Sequence, residues 1–308
     1  MKNIPHAIQY QGSKRNLASE ILRYVPEKMR RFIEPFAGSA AMSVATSARN
    51  NADNYLINVL NQPLIALLRL IIDSPVEIAD FYERLWNEQH SDSIEHYYKV
   101  REDFNRTQDP RLFLYLLARC VKASVRYNAA GLFNQSPDKR RYGTRPETMR
   151  RNIFGVSALL KGKAIFSSRD YREVLLEARP SDVVYMDPPY QGVCGDRDSR
   201  YFAGIAHSEF VEALQELDAR GITFLVSYDG RRGDRVFGEP MPDSLGMTCV
   251  ELAAGRSTQA TLLGRDEMTY ESLYLSRSLM EDMEGKVSSC GVRAGQQYVL
   301  LEPAARYG

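Results

Sequence analysis

Residues 31–72 read RFIEPFAGSAAMSVATSARNNADNYLINVLNQPLIALLRLII. RFIEPF (31–36) is a short apolar run of strand length, and the small-residue stretch that follows, GSAAMSVATSA, suits a helix. NYLINV (54–59) predicts a second strand, and NQPLIALLRLII (61–72) a second helix. Strand, helix, strand, helix in that order is the opening of an α/β fold with a parallel sheet. Working outward, the apolar spacing from about 62 to 127 is helical, with no convincing strand. Residues 128–146, NAAGLFNQSPDKRRYGTRP, carry the Gly, Asn, Pro and charge of a loop or hairpin. Helix returns in RPETMRRNIFGVSALLKG, and strands resume at KAIFSS (163–168), DVVYMD (182–187) and ITFLVSYD (222–229). Helical segments separate them near 170–177 and 206–219, and ESLYLSR (271–277) and YVLLE (298–302) look like β structure. The polar segment 278–296 is read as a mobile excursion. The expected organisation is a sheet begun in 1–61, interrupted by a mostly helical insertion over 62–160 with its hairpin at 128–146, and completed in 161–308.

Composition narrows the classes. With 44% hydrophobic and 26% charged residues the chain is globular. It has no apolar run of membrane-spanning length and no signal-peptide pattern at its start, so a cytoplasmic location with no membrane partner is expected. Cys120, Cys194, Cys249 and Cys290 are scattered and the four histidines lack ligand spacing. Reduced thiols and no metal site are expected. A net charge of +1 rules against a chain that coats nucleic acid by charge alone. The charge is uneven, however. Lys122 to Arg151 holds eight basic residues against two acids, with Tyr127, Phe133 and Tyr142 among them, a pattern that fits nucleic-acid contact as well as a solvated face.

Two motifs carry chemistry. Asp187-Pro188-Pro189-Tyr190 follows the apolar strand VVYM, at the strand end where open α/β sheets gather ligands. The two prolines fix φ and remove two N–H donors, so the Asp187 carboxylate and a proline carbonyl both face outward as acceptors. An amino group on an aromatic ring is a poor nucleophile because its lone pair is delocalised. Two acceptors gripping its N–H bonds favour a pyramidal nitrogen, and Tyr190 offers a flat face for a base taken out of its stack. A proline-capped turn is the plain alternative. The second motif, Glu34-Pro35-Phe36-Ala37-Gly38-Ser39-Ala40-Ala41, places a glycine at a strand-to-helix turn, where a ligand can approach the backbone. Helix–sheet packing uses small residues in the same way.

Together these segments resemble the Dam-like adenine-N6 DNA methyltransferases over nearly the whole chain. AIQYQGSKRN (7–16) is similar to that family's N-terminal cofactor motif, FIEPFAGSAA to its methionine-binding loop and RYNAAGLFN (126–134) to its DNA-recognition hairpin. DYREVL resembles its adenosine-side region, and DPPY its catalytic motif. The resemblance implies a Rossmann-like S-adenosylmethionine-dependent methyltransferase sheet with a helical DNA-recognition insertion. It further implies methyl transfer from S-adenosylmethionine to N6 of a flipped adenine in double-stranded DNA, in restriction-modification with a cognate endonuclease or in epigenetic marking. Cofactor contacts are implied for Tyr10, Lys14, Phe36, Gly38, Asp170 and Asp187. Lys14 as a surface cation and Tyr10 as a half-buried aromatic are the plain readings. DNA contacts are expected from Gln9, Lys122, Arg126, Asn128, Asn134, Lys139, Arg140 and Arg141, with Asn128 equally suited to forming a turn. Phe202 suits a role against the flipped base or in the core. Two departures from the family stand out. Val59 occupies the strand end where relatives carry an acid for the ribose hydroxyls, so Asn58 or Asn61 is expected to compensate if any side chain does. Gln9 stands where Dam has a guanine-reading lysine, so the Dam target sequence is not implied. RNA adenine methylation, or a weakly active DNA-binding relative, are the alternatives the sequence leaves.

Overall fold

The computed structural model describes residues 4–189, 205–232, 235–237, 239–256 and 268–289. A short helix, α1 (Ala18–Ile21), precedes β1 (Met29–Glu34), α2 (Ala41–Ala48) and β2 (Ala52–Asn58). Five helices follow: α3 (Gln62–Asp73), α4 (Pro75–Glu88), α5 (Ser93–Thr107), α6 (Pro110–Arg119) and α7 (Pro146–Leu160). The chain then runs through β3 (Ala164–Ser167), α8 (Tyr171–Leu176), β4 (Asp182–Met186), α9 (His207–Ala219), β5 (Thr223–Arg232) and β6 (Arg235–Phe237). It ends, among the described residues, with β7 (Thr248–Arg256), β8 (Met268–Leu275) and α10 (Arg277–Ser289).

The strands form one sheet in the order β3-β2-β1-β4-β5-β8-β7, with the short β6 paired to β5. From β3 to β5 all neighbours are parallel, whereas β8 runs antiparallel to both β5 and β7. This is the Rossmann-like sheet that the sequence predicts. Its central strands are largely apolar on both faces because both are covered, and the period of two sorts their side chains. Phe32, Tyr55, Ile57, Val183, Tyr185 and Leu225 enter one core, together with α2, α3 and α7. Their chain neighbours Ile33, Leu56, Val184, Met186, Phe224 and Val226 enter the other, against α8 and α9. The first core continues without a break into α4, α5 and α6 through Tyr82, Tyr97, Phe104 and Tyr115.

Helix starts follow their caps. Asn61 accepts from the Leu64 N–H at 3.0 Å ahead of a proline in the first turn of α3, and Asp170 accepts from the Arg172 N–H at 2.9 Å to open α8. Three expectations change. Residues 278–289, read as part of an excursion, lie in α10, whose Leu279 is buried and whose Met280 and Met283 pack on the core. The strand β7 was not foreseen. The hairpin is centred earlier than 128–146: backbone bonds join Asp138 to Arg119, Val121 to Ser136, Asn134 to Arg126 and Asn128 to Leu132, so its tip is 128–132. Tyr190, Phe202, Cys194, Cys290 and the expected strand 298–302 lie outside the described residues.

Candidate functional site

The strand order reverses between β1 and β4, and a crevice opens at their carboxyl ends, as it must in an open parallel sheet. It forms a cavity of about 490 Å³. Segments far apart in sequence converge there: Tyr10 to Lys14, Glu34 to Ser39, Asn58 to Asn61, Arg169 to Tyr171, and Asp187 to Pro189. All six residues expected to hold the cofactor, Tyr10, Lys14, Phe36, Gly38, Asp170 and Asp187, line this one cavity.

The turn after β1 is built for close approach. Gly38 has φ +51°, and a Cβ there would meet the Tyr10 ring at 3.1 Å. Ala40 is also left-handed, at φ 55°. The Ser13 and Ser39 hydroxyls bond at 2.9 Å, tying this turn to the N-terminal motif. Glu34, buried at the end of β1, accepts from both the N–H and the hydroxyl of Ser43 in α2. Burial pushes its carboxyl up to about 8, against the pull of those donors. Phe36 packs on Tyr171 with ring centroids 5.1 Å apart, which joins the β1 turn to the start of α8.

Asp187 is not alone. Lys14 Nζ lies 3.2 Å from Asp187 Oδ1 and 2.8 Å from Glu271 Oε2 on β8, and the lysine side chain is only 9% exposed. Lys14 is therefore part of the site rather than a surface cation. Burial raises the Asp187 carboxyl to about 6. Lys14 opposes this and Glu271 adds to it.

The end of β2 answers the question that Val59 raised. Val59 lines the cavity and is 8% exposed. Asn58 is largely engaged: its Nδ2 donates to the Pro35 and Arg169 carbonyls at 2.9 and 3.0 Å, and its Oδ1 accepts from the Arg169 N–H, which leaves one lone pair. That side chain pins the ends of β1, β2 and β3 together. Asn61 Nδ2 donates to the Tyr127 hydroxyl at 2.9 Å while its Oδ1 caps α3, which leaves one lone pair. Each of the two amides thus keeps a single acceptor lone pair.

The expected DNA-contacting residues lie on and beside the hairpin. Lys122, Arg126, Asn128, Asn134, Lys139, Arg140 and Arg141 are all exposed, and Gln9, also exposed, donates to Thr144 Oγ1 at 2.8 Å. Asn128 Oδ1 accepts from the Ala130 and Leu132 N–H groups, so it shapes the tip. The hairpin is anchored next to its tip: Phe133 is buried among Phe104, Phe113 and Tyr127, and Asn105 bonds both its N–H and its carbonyl. Lys122 and Ala123 take positive φ, and Ala123 accepts from the Gln11 N–H, joining the hairpin to the cofactor motif. Val125 and Tyr127 reach the cavity wall. Arg150 leaves the basic patch, since Asp80 and Glu83 hold it. The sequence reading gave Glu34 no role of its own, did not foresee that Asn58 ties strand ends together, and missed Glu271. The EPF of the second motif was signal enough for Glu34, but nothing in the sequence links Glu271 to Lys14.

Comparison with known proteins agrees with this geometry. The family model for the D12 class N6 adenine-specific DNA methyltransferases matches residues 10–248. The chain is 26% identical over 232 residues to the DNA N-6-adenine-methyltransferase of Escherichia phage P1, covering 72% of this chain and 29% of that protein. It is 29% identical over 194 residues to the DNA adenine methylase of Escherichia coli strain K12, covering 62% of this chain and 66% of that one. The Type II methyltransferase M1.LlaDCHI of Lactococcus lactis subsp. cremoris is 25% identical over 242 residues, 73% of this chain and 81% of that protein. The match thus spans less than a third of the phage protein and just under two thirds of the Escherichia coli one.

Proposed function

Because the chain belongs to the D12 class N6 adenine-specific DNA methyltransferases, we propose that it transfers a methyl group from S-adenosylmethionine to N6 of an adenine flipped out of duplex DNA. The observation that carries the reading is the convergence of Asp187-Pro188-Pro189, the Gly38 turn and Lys14 on one cavity at the switch point of the sheet. The residues fit the cofactor. Gly38 leaves room where a Cβ would stand, and the carboxylates of Asp187 and Asp170 suit its positive charges. When bound, S-adenosylmethionine supplies an electrophilic methyl group on a sulfonium centre.

The chain's own residues do the rest. Lys14 occupies Asp187 Oδ1, which assigns Oδ2 to an N–H of the adenine amine. Pro188 and Pro189 carry no N–H to compete with the amine, and a proline carbonyl accepts a hydrogen bond from its second N–H. With S-adenosylmethionine bound, the nitrogen lone pair, released from the ring, would take the methyl group while the C–S electron pair leaves with sulfur, and the amine would pass one N–H proton to the Asp187 carboxylate that grips it. Alignment in the site supplies much of the acceleration, and the transfer is direct, with inversion and no covalent enzyme intermediate. Tyr190 would stack on the flipped base. Lys122, Arg126, Lys139, Arg140 and Arg141 hold phosphates or base edges, with Gln9, Asn128 and Asn134 beside them. Residues 62–160 would serve as the target-recognition unit. A protein acting on DNA in this way works in the cytoplasm, and a cognate endonuclease is the partner to seek in a restriction-modification setting. Among the described residues no helix is long and apolar enough to cross a membrane. The test is transfer of labelled methyl from S-adenosylmethionine to duplex DNA, with RNA and the Asp187→Ala protein as comparisons. Label in DNA that depends on Asp187 supports the reading; label in RNA alone, or transfer by Asp187→Ala at the wild-type rate, overturns it.

A further inference from the structure

We propose that Glu271 is a positioning residue for this transfer: it shares the Lys14 ammonium with Asp187, so that the Asp187 carboxylate keeps its strength as an acceptor for the target amine. The inference rests on the methyltransferase reading. Glu271 lies beyond residues 10–248, the stretch that matches the family.

The geometry is specific. Lys14 comes from the N-terminal motif, Asp187 from the end of β4 and Glu271 from β8, and the ammonium stands nearer to Glu271 (2.8 Å) than to Asp187 (3.2 Å). The sheet is shaped to permit this. Between Ser227 and Gly230 the β5–β8 register shifts, and Gly230 pairs with Glu271. A Cβ on Gly230 would lie 2.5 Å from the Tyr270 carbonyl oxygen, so only glycine lets β8 come this close. Lys14 and Asp187 alone would form a neutral pair in which the ammonium draws charge from the carboxylate that must grip the amine. With Glu271 the ionised trio carries one net negative charge, complementary to the positive charge that develops on the amine nitrogen. The charged and titratable groups that act on Asp187 are Lys14, Glu271, Glu34 and Tyr185. Glu34, with its carboxyl raised to about 8, is mostly neutral at pH 7, so Glu271 is the carboxylate whose charge Asp187 feels there.

The experiment compares Glu271→Gln and Glu271→Asp with the wild type. kcat is followed from pH 5 to pH 9, DNA affinity is measured alongside, and the Asp187 carboxyl is titrated by carbon-13 shift in the ligand-free protein. Glu271→Gln should lower kcat about tenfold or more while DNA affinity changes less than twofold. It should also move both the acid limb and the Asp187 titration to lower pH, because the neighbouring negative charge is gone. Glu271→Asp should restore part of the rate and hold the limb near its wild-type place. An Asp187 titration unmoved by Glu271→Gln overturns the inference, as does a lower kcat with an unshifted limb and a lower Tm, which marks a merely structural residue. A wild-type protein that transfers no methyl group sinks the methyltransferase reading instead, and the carbon-13 titration tells the two failures apart.

Discussion

Val59→Asp restores the acid that this strand end lacks, and its effect should have two opposite sides. The Val59 side chain faces the cavity at 8% exposure. A carboxylate there, with no ligand, finds the amide donors of its neighbours taken: both Asn58 N–H bonds go to backbone carbonyls and Asn61 donates to Tyr127. An under-bonded, nearly buried carboxylate costs about 1–3 kcal/mol. For a chain of this size, that lowers the Tm of the free protein by about 2–5 °C. With the cofactor bound, the same carboxylate accepts from the ribose hydroxyls. Charge-assisted bonds of this kind contribute about 1–3 kcal/mol, or about 5- to 150-fold in Kd. Calorimetric titration of both proteins with S-adenosylmethionine, together with their melting curves, measures both sides. Tighter binding with a lower Tm of the free protein is the expected pair. Unchanged or weaker binding with a lower Tm would refute the assignment of this strand end to the ribose.

Three further outcomes follow from the same geometry. Asp187→Ala should lose about 10²–10³-fold or more in kcat while DNA binding survives; in the wild type, kcat should fall as the pH drops through about 6, where the raised Asp187 carboxyl takes up its proton. Neutralising Arg140 and Arg141 together should weaken binding to all DNA sequences alike and reduce the salt slope by about two, since both are exposed phosphate-contact candidates; an unchanged slope would remove them from the interface. Glu34 binds its proton more tightly in the folded chain than in the unfolded one, so its contribution to stability is full below about pH 4.5 and declines as pH rises through about 8, with a ceiling of about 5 kcal/mol. Glu34→Gln should flatten that decline in denaturant titrations at pH 5 and pH 8.5, and an equally steep decline in the variant would refute the attribution.

The parallel strands were legible because each is a short apolar run, buried on both faces in β4 and in most of β1, β2 and β5, and their ends fall within three residues of expectation. β7 escaped because of the residues between Cys249 and Gly255 only Leu252 is buried, so it carries almost no apolar pattern. α10 was misread on its polar composition, although Leu279, Met280 and Met283 recur at helical spacing. The cofactor wall was legible because local motifs carry it. Glu271 was not, since its meaning lies in Lys14, which meets it only once β8 has folded beside β5. The structural part that Asn58 plays was hidden for a related reason: the strand ends that its amide ties together lie far apart in sequence.

The central claim concerns one atom, N6 of adenine. Duplex DNA incubated with the protein and S-adenosylmethionine, then digested to nucleosides and separated by mass spectrometry, reports which atom gained the methyl group. N6-methyl-2′-deoxyadenosine, absent when Asp187→Ala replaces the wild type, is the predicted product. Methylated cytosine, or no methylated nucleoside at all from the active-site-intact protein, would contradict the account.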